Sequence, residues 1–337
     1  MRVALIGLGT TGSHIARQLT QSPVTDLILF DVKDERLDQV ATAVRAVAPG
    51  HQNVTDAPSS APARLGADVV ILAGPAGTHG RLAAEALRAG SHVVSISDAA
   101  DEVAELLALD SLARSVDRAM VVGAGFAPGL SCLLSAHAAS QLDHVDSISV
   151  HLAGTAGPAC ARQHHRALKL SGQEWIDGAW VTRRGGSGRD LAWFPEPFGA
   201  RDCYRGALPA PLLLQPVFPE AQRISARMAA TRRDRITYRL PMLRPPHIDG
   251  GPGAIRVEVR GRLAQSVETI ILGVMDHPSV AAATVAALSA IAAAEGRAPN
   301  GSHGLAAWST ARQILVDLRH RGVRVAAFGG RLDALAS

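Results

Sequence analysis

With 337 residues and 35.1 kDa, the chain is long enough for about two ordinary domains and too long for one small module. Hydrophobic residues make up 47% and aromatics only 4%, so the core must be built from Ala, Val and Leu; disorder and a disulfide-stapled scaffold are excluded. The pI of 9.4 invites a nucleic-acid partner, yet residues 1–125 carry 10 basic and 14 acidic groups and residues 126–337 carry 24 and 16, so the surplus sits wholly in the second part.

Residues 2–6 are a short apolar run that enters Gly7-Leu-Gly9-Thr10-Thr11-Gly12, with helical spacing from there to residue 19. A second strand over 27–30 ends in Asp31, and residues 34–48 read as a helix stopped by Pro49-Gly50. The run 67–73 breaks at Gly74-Pro75, residues 79–89 are helical up to Gly90, and 93–96 is a strand. A helix over 101–116 and a strand over 120–122, closed by Gly123, complete this part. Strands alternating with helices of about 10–15 residues predict a doubly wound parallel sheet. The fold class is therefore α/β, with an N-terminal Rossmann domain over 1–125.

Beyond residue 130 the rhythm changes. Residues 133–142 are helical and 145–152 alternate like a strand, while 155–250 are rich in Gly, Pro and Arg with short apolar runs. Strands over 255–259 and 267–275 lead into an Ala-rich helix ending near 294, and 308–318 is a last amphipathic helix. This pattern predicts an α+β substrate or dimerisation domain over 126–300. A C-terminal helical segment over 301–337 is expected to pack back on the first domain. The Ala-rich stretch is too short to span a bilayer. Three cysteines without a close pair and an N-terminus that enters a strand directly suit a cytoplasmic protein.

A Gly-x-Gly-x-x-Gly that follows a strand, opens a helix and is answered by an acid at the end of the next strand predicts a dinucleotide site. Gly7 makes the tight turn, Gly9 admits the pyrophosphate, and Gly12 allows close helix–strand packing, with Thr10 and Thr11 at the helix N-terminus. Asp31 can accept from both ribose hydroxyls of NAD and repels a 2′-phosphate. Lys33 and Arg36 nearby leave NADP open. Gly74, Pro75 and Ala76 follow a strand at its carboxyl end and are expected along the cofactor, as is Ser97. Asp98 either faces the nicotinamide as a catalytic group or caps the next helix, the simpler expectation.

These residues resemble the saccharopine dehydrogenase-like oxidoreductases. The resemblance is carried by Val3-Ala-Leu-Ile-Gly7-Leu-Gly9-Thr-Thr-Gly12, by the stretch from Ala67 to Pro75 with Ala89-Gly-Ser-His-Val-Val-Ser-Ile-Ser97-Asp98, and above all by Gly125-Phe-Ala-Pro128-Gly129. It covers residues 1–140 well and the rest loosely, with Ile176-Asp-Gly-Ala-Trp180 similar to the lysine-dehydrogenase-like branch. It implies hydride exchange with a nicotinamide at a C–N bond of an amino-acid-like or opine-like substrate. Sugar-type Rossmann oxidoreductases carry Glu-Lys-Pro where this chain has Ser-Ile-Ser-Asp.

A carboxylate-bearing substrate calls for Arg, and Arg162, Arg166, Arg183 and Arg184 follow the first strand of the second domain. His164-His165 beside them titrates near neutrality. Adjacent histidines on a strand cannot both face one pocket, and His165 is assigned with Asp98 to proton transfer. Around this pair no Cys or carboxylate cluster stands at ligand spacing, so no metal is expected. Cys132 is read as a small buried hydrophobe, and His79 and His137 as structural. The run Arg232-Arg233-Asp234-Arg235 lacks interleaved aromatics, so no nucleic acid is expected; the partners are a small molecule and a second copy in a homodimer. A carbonyl dehydrogenase and a non-catalytic cofactor sensor are the alternatives.

Overall fold

The computed structural model describes residues 1–57, 66–242 and 245–329. In the first part the apolar runs become β1 (Arg2–Ile6), β2 (Asp26–Phe30), β3 (Asn53–Asp56), β4 (Val69–Leu72), β5 (His92–Ser95) and β6 (Ala119–Val121). Between them lie α1 (Thr10–Thr20), α2 (Asp34–Arg45), α3 (His79–Arg88), α4 (Ala100–Leu107) and α5 (Asp110–Ser115). Every strand pair is parallel and the order is β6-β5-β4-β1-β2-β3. Because helices cover both faces, β4 reads Val-Val-Ile-Leu with all four residues buried, where a one-sided strand would alternate. The order reverses between β1 and β4, and a crevice opens there at the carboxyl ends of the strands. The helix expected over 101–116 is two helices, broken at Ala108-Leu109. β3 has no apolar run: it is a polar, largely exposed edge strand.

The second part starts with α6 (Leu130–Ala139), nearly all of it buried, and β7 (His144–Ala153). The stretch without clear periodicity folds into α7 (Pro158–Lys169), β8 (Gly172–Ile176), β9 (Ala179–Arg183), β10 (Asp190–Trp193), β11 (Ala200–Tyr204), α8 (Ala210–Leu214), β12 (Arg223–Ala229) and α9 (Arg232–Thr237). The long hairpin β13 (Gly253–Leu263) and β14 (Ser266–Asp276) follows. β7 is central in a mixed sheet, parallel to β12 on one side and antiparallel to β13 on the other. Ile148, Val150 and Leu152 of β7 face the core, and Ser149 and His151 the opposite side.

The chain then returns to the first sheet. α10 (Pro278–Ala294) is buried along almost its whole length and packs on α1, β4 and β5. Its small side chains let two backbones approach closely, which explains a core so poor in aromatics. β15 (Gly301–His303) adds to the first sheet beside β6 as its seventh strand, α11 (Ala311–His320) follows, and β16 (Val325–Gly329) pairs with β14 in the second sheet. The Arg321 guanidinium donates to the Gln18 carbonyl oxygen and to Ser22 Oγ, fastening the end of α11 to α1. Residues 330–337 of the expected C-terminal segment lie outside the described residues.

Candidate active site

The chain leaves β1 at Gly7 with φ +97°, and a Cβ there would lie 2.6 Å from the Gly74 nitrogen. At Gly12 a Cβ would collide with the Gly7 carbonyl oxygen. Gly9, which precedes the first turn of α1, has nothing within 4 Å of a Cβ position. Two of the three glycines are thus closed by the protein itself, and the third faces open space at a helix N-terminus. That is the cradle a diphosphate requires. At the end of β2 the buried Asp31 carboxylate accepts the Leu8 amide at 2.8 Å and the Lys33 amide at 3.0 Å, and Arg36 Nη1 stands 3.3 Å away. Loop and carboxylate hold one another in place, and together they fit a nicotinamide dinucleotide.

One cleft of about 1340 Å³ runs from this loop to the second part of the chain. Of the residues named from sequence, Gly7, Gly9, Thr10, Thr11, Asp31, Gly74, Pro75, Ala76, Ser97, Asp98, Arg162 and Arg166 all line it. Gly12 does not, since it turns to the Gly7 carbonyl behind the loop. His165 does not either: its Nε2 is 2.8 Å from the Leu240 carbonyl oxygen. The two histidines sit on helix α7 and not on a strand, so a rotation of about 100° separates them, and His164 is the one that lines the cleft. Arg166 is paired with Asp101 at 3.0 Å, whereas Arg162 has no ion-pair partner among the described residues.

Asp98 does not cap α4, whose N-cap residue is Ala99 with no side-chain capping bond. Ser97 Oγ accepts the Ala99 amide at 3.4 Å instead, and Asp98 turns across the cleft. There His164 Nε2 lies 3.5 Å from Asp98 Oδ2 and 3.6 Å from Cys160 Sγ. One carboxylate oxygen, one thiol sulfur and one ring nitrogen therefore stand within 4.8 Å of one another. Sequence reasoning excluded such a cluster. It missed the four-residue spacing of Cys160 and His164, which becomes one helical face once α7 is known, and no local signal could supply Asp98 from the other wall. Burial disfavours the His164 imidazolium, but Cys160 and Asp98 outweigh it and hold the ring well above its usual range. Burial pushes the Cys160 thiol up.

The remaining residues singled out from sequence stand elsewhere. His79 is buried with Nδ1 2.7 Å from Ser95 Oγ and Nε2 3.0 Å from the Gly74 carbonyl oxygen, which fixes the loop after β4. Cys132 is fully buried in α6 and its thiol is pushed up to about 11. Arg183 leans on the buried Glu174 at 3.8 Å.

A doubly wound sheet with a glycine cradle, a fixed carboxylate at the end of β2 and a cleft closed by a second α+β unit defines an NAD(P)-dependent oxidoreductase. Residues 1–124 match the model of the GFO/IDH/MocA oxidoreductase family, NAD-binding Rossmann fold. The match lies in the cofactor part, so it fixes the dinucleotide and leaves the substrate to the second part. Among solved structures, the saccharopine dehydrogenase (L-Glu forming) from Saccharomyces cerevisiae superposes with a TM-score of 0.73 at 13% identity, covering 97% of this chain and 100% of that one. C. glutamicum DAP dehydrogenase in complex with DAP gives 0.52 at 14%, over 96% and 99%. An engineered D-amino acid dehydrogenase bound to NADP+ gives 0.51 at 14%, again over 96% and 99%. At such identities the likeness is one of fold, and it agrees with the resemblance carried by residues 1–140. Among the described residues no helix is long and apolar enough to cross a membrane.

Proposed function

We propose that the protein exchanges a hydride between NAD and the carbon of a C–N bond in an amino-acid-like or opine-like substrate. The observation that carries this is the single cleft joining the glycine cradle to Asp98, Cys160 and His164. Solved relatives in fold that are named for saccharopine, DAP and D-amino acids support the substrate class.

When bound, the nicotinamide supplies or takes up the hydride. Everything else falls to this chain. The first turn of α1 and the open side of Gly9 bind the diphosphate through free amide groups. Asp31 binds the ribose hydroxyls and disfavours a 2′-phosphate. Pro75, Ile96, Pro128 and Leu152 give the cleft apolar walls that exclude water from the reacting carbon. Asp98 and His164 hold a proton at Nε2 within reach of the substrate nitrogen, to be given as an imine becomes an amine and withdrawn in the reverse direction. Arg162, on the same helix and without an ion-pair partner among the described residues, meets the substrate carboxylate.

The test follows the absorbance of reduced cofactor with 2-oxo acids plus amino acids in one direction and with amino acids and opines in the other. Turnover with an amine or imine pair, reduced about 100-fold or more in His164→Ala, is expected. Turnover confined to carbonyl substrates without an amine overturns the C–N assignment, and cofactor binding without any turnover identifies a sensor.

A further inference from the structure

Cys160 and His164 are one helical turn apart on α7, so their side chains rise from the same face. Asp98 comes from the loop after β5 and closes the group from the opposite wall. The measured separations are 3.6 Å from Cys160 Sγ to His164 Nε2 and 3.5 Å from that nitrogen to Asp98 Oδ2, with all three atoms inside 4.8 Å. A tetrahedral zinc ion with a bond of about 2.3 Å to sulfur and about 2.0–2.1 Å to nitrogen and oxygen requires edges of about 3.6 Å between S and N and about 3.4 Å between N and O. The S–N and N–O edges meet those values without rearrangement of the helix, and the S–O edge, within 4.8 Å, has to reach about 3.6 Å.

The protonation chemistry points the same way. Sulfur and carboxylate both address one ring nitrogen, and Nε2 offers either one hydrogen or one lone pair, so it cannot form a full hydrogen bond with each. A cation at the centre satisfies all three. Thiolate, imidazole and carboxylate together suit zinc and disfavour magnesium or calcium, which take oxygen ligands. The side chains of His164 and Asp98 are 13% and 22% exposed, which shields them from bulk water while the cleft leaves them reachable.

We propose that Asp98, Cys160 and His164 form a three-ligand Zn²⁺ site whose fourth position opens into the substrate end of the cleft. Three protein ligands with one open corner is the arrangement of catalytic zinc, whereas structural zinc is closed by four. On binding, the Cys160 thiol and the His164 ring each release a proton to solvent and His164 coordinates through the Nε2 lone pair as neutral imidazole, so no electron transfer is involved. The ion ties the loop after β5 to α7 and so spans the two walls of the cleft. It occupies the place of the proton that the proposed function puts on His164 Nε2, so with the ion bound this ring is no longer the proton donor, and the two readings describe alternative states of the same three residues. The inference stands on the three ligand atoms and does not require the amine–imine assignment.

The experiment uses the full chain, stripped with a chelator and titrated with Co²⁺ alone. One equivalent is expected to give a thiolate-to-cobalt charge-transfer band with intense visible bands of four-coordinate cobalt, bleached by added Zn²⁺. Cys160→Ser should remove the charge-transfer band. Asp98→Asn and His164→Gln should each weaken Co²⁺ binding by at least roughly tenfold, with NAD-induced thermal stabilisation retained as the sign of an intact fold. Absence of the charge-transfer band in the parent protein, or its survival in Cys160→Ser, overturns the site. The other thiols, Cys132 and Cys203, are buried and belong to no group of three ligand atoms among the described residues, so they offer no site in its place. The readout is the spectrum of the metal, so its failure leaves the hydride-transfer assay untouched, and the converse holds as well.

Discussion

The Asp31 carboxylate is fixed before any ligand arrives, by the amide hydrogens of Leu8 and Lys33. Arg36, 3.3 Å from the same carboxylate and partly exposed, lines the cleft with Lys33 and can meet a 2′-phosphate. In Asp31→Ala the ribose hydroxyls lose a charged acceptor, a loss of about 1.5–3 kcal/mol, or roughly 10–150-fold in NAD affinity. NADP should lose less, because the repulsion disappears and Arg36 is released. The ratio of the two dissociation constants, measured by fluorescence titration, should move toward NADP; an unchanged ratio removes Asp31 from the cofactor choice. At this scale the cofactor residues were legible in the sequence, because a glycine turn and an acid at the end of the next strand are local features. His164 was not. Telling it from His165 needs the rotation of a helix that the sequence does not declare.

Helix α7 carries most of what was illegible. Its buried face is Ala161, Gln163, Ala167 and Leu168, too weakly apolar to stand out among arginines, so no helix is read there and the adjacent histidines are treated as if on a strand. Its start is set by Gly157, at φ +148°, where a Cβ would lie 2.8 Å from Thr10 Oγ1, followed by Pro158 in the first turn. This contact seats the start of α7 against the start of α1, and the helix then carries Cys160, Arg162 and His164 along the cleft. The long strands and α10 were legible because their apolar runs are continuous. β8 to β12 were not: β8–β9 and β10–β11 are short hairpins with few buried side chains, and β12 is stabilised by the distant β7. The helix also separates two arginines that look alike in the sequence. Arg162→Ala should raise the KM for a carboxylate-bearing substrate about tenfold or more with little change in kcat, through loss of a charge-assisted contact. Arg166→Ala removes an exposed pair with Asp101 and should change KM less than about threefold and stability by less than about 1 kcal/mol. Equal effects of the two substitutions in steady-state kinetics would contradict this division.

Across the whole molecule, the chain alternates between its two sheets: α10 and β15 complete the cofactor sheet after β13 and β14 complete the other. The cofactor sheet is therefore not closed by residues 1–125 alone, and it depends on how β15 is fastened. Asp110 does this. Its Oδ1 accepts the Ser302 amide at 2.8 Å and its Oδ2 accepts Arg114 Nε at 2.8 Å, while Gly301 at φ +100° leaves no room for a side chain between them. Arg114 foremost, with the Ser302 amide, holds the Asp110 carboxyl below the usual carboxylate range. A carboxylate with a depressed pKa binds fewer protons folded than unfolded. Its stabilisation is thus fully present above the unfolded pKa of about 4 and is lost as pH falls through the lower folded value. Asp110→Asn keeps an acceptor for Ser302 but not the charge. The melting temperature of the variant should lie below that of the parent at pH 7, and the difference should shrink as the pH is lowered from about 5 to 3. Circular dichroism melts across that range decide it, and a difference that is constant or grows toward acid would show that the charge of Asp110 does not fasten the returning strand.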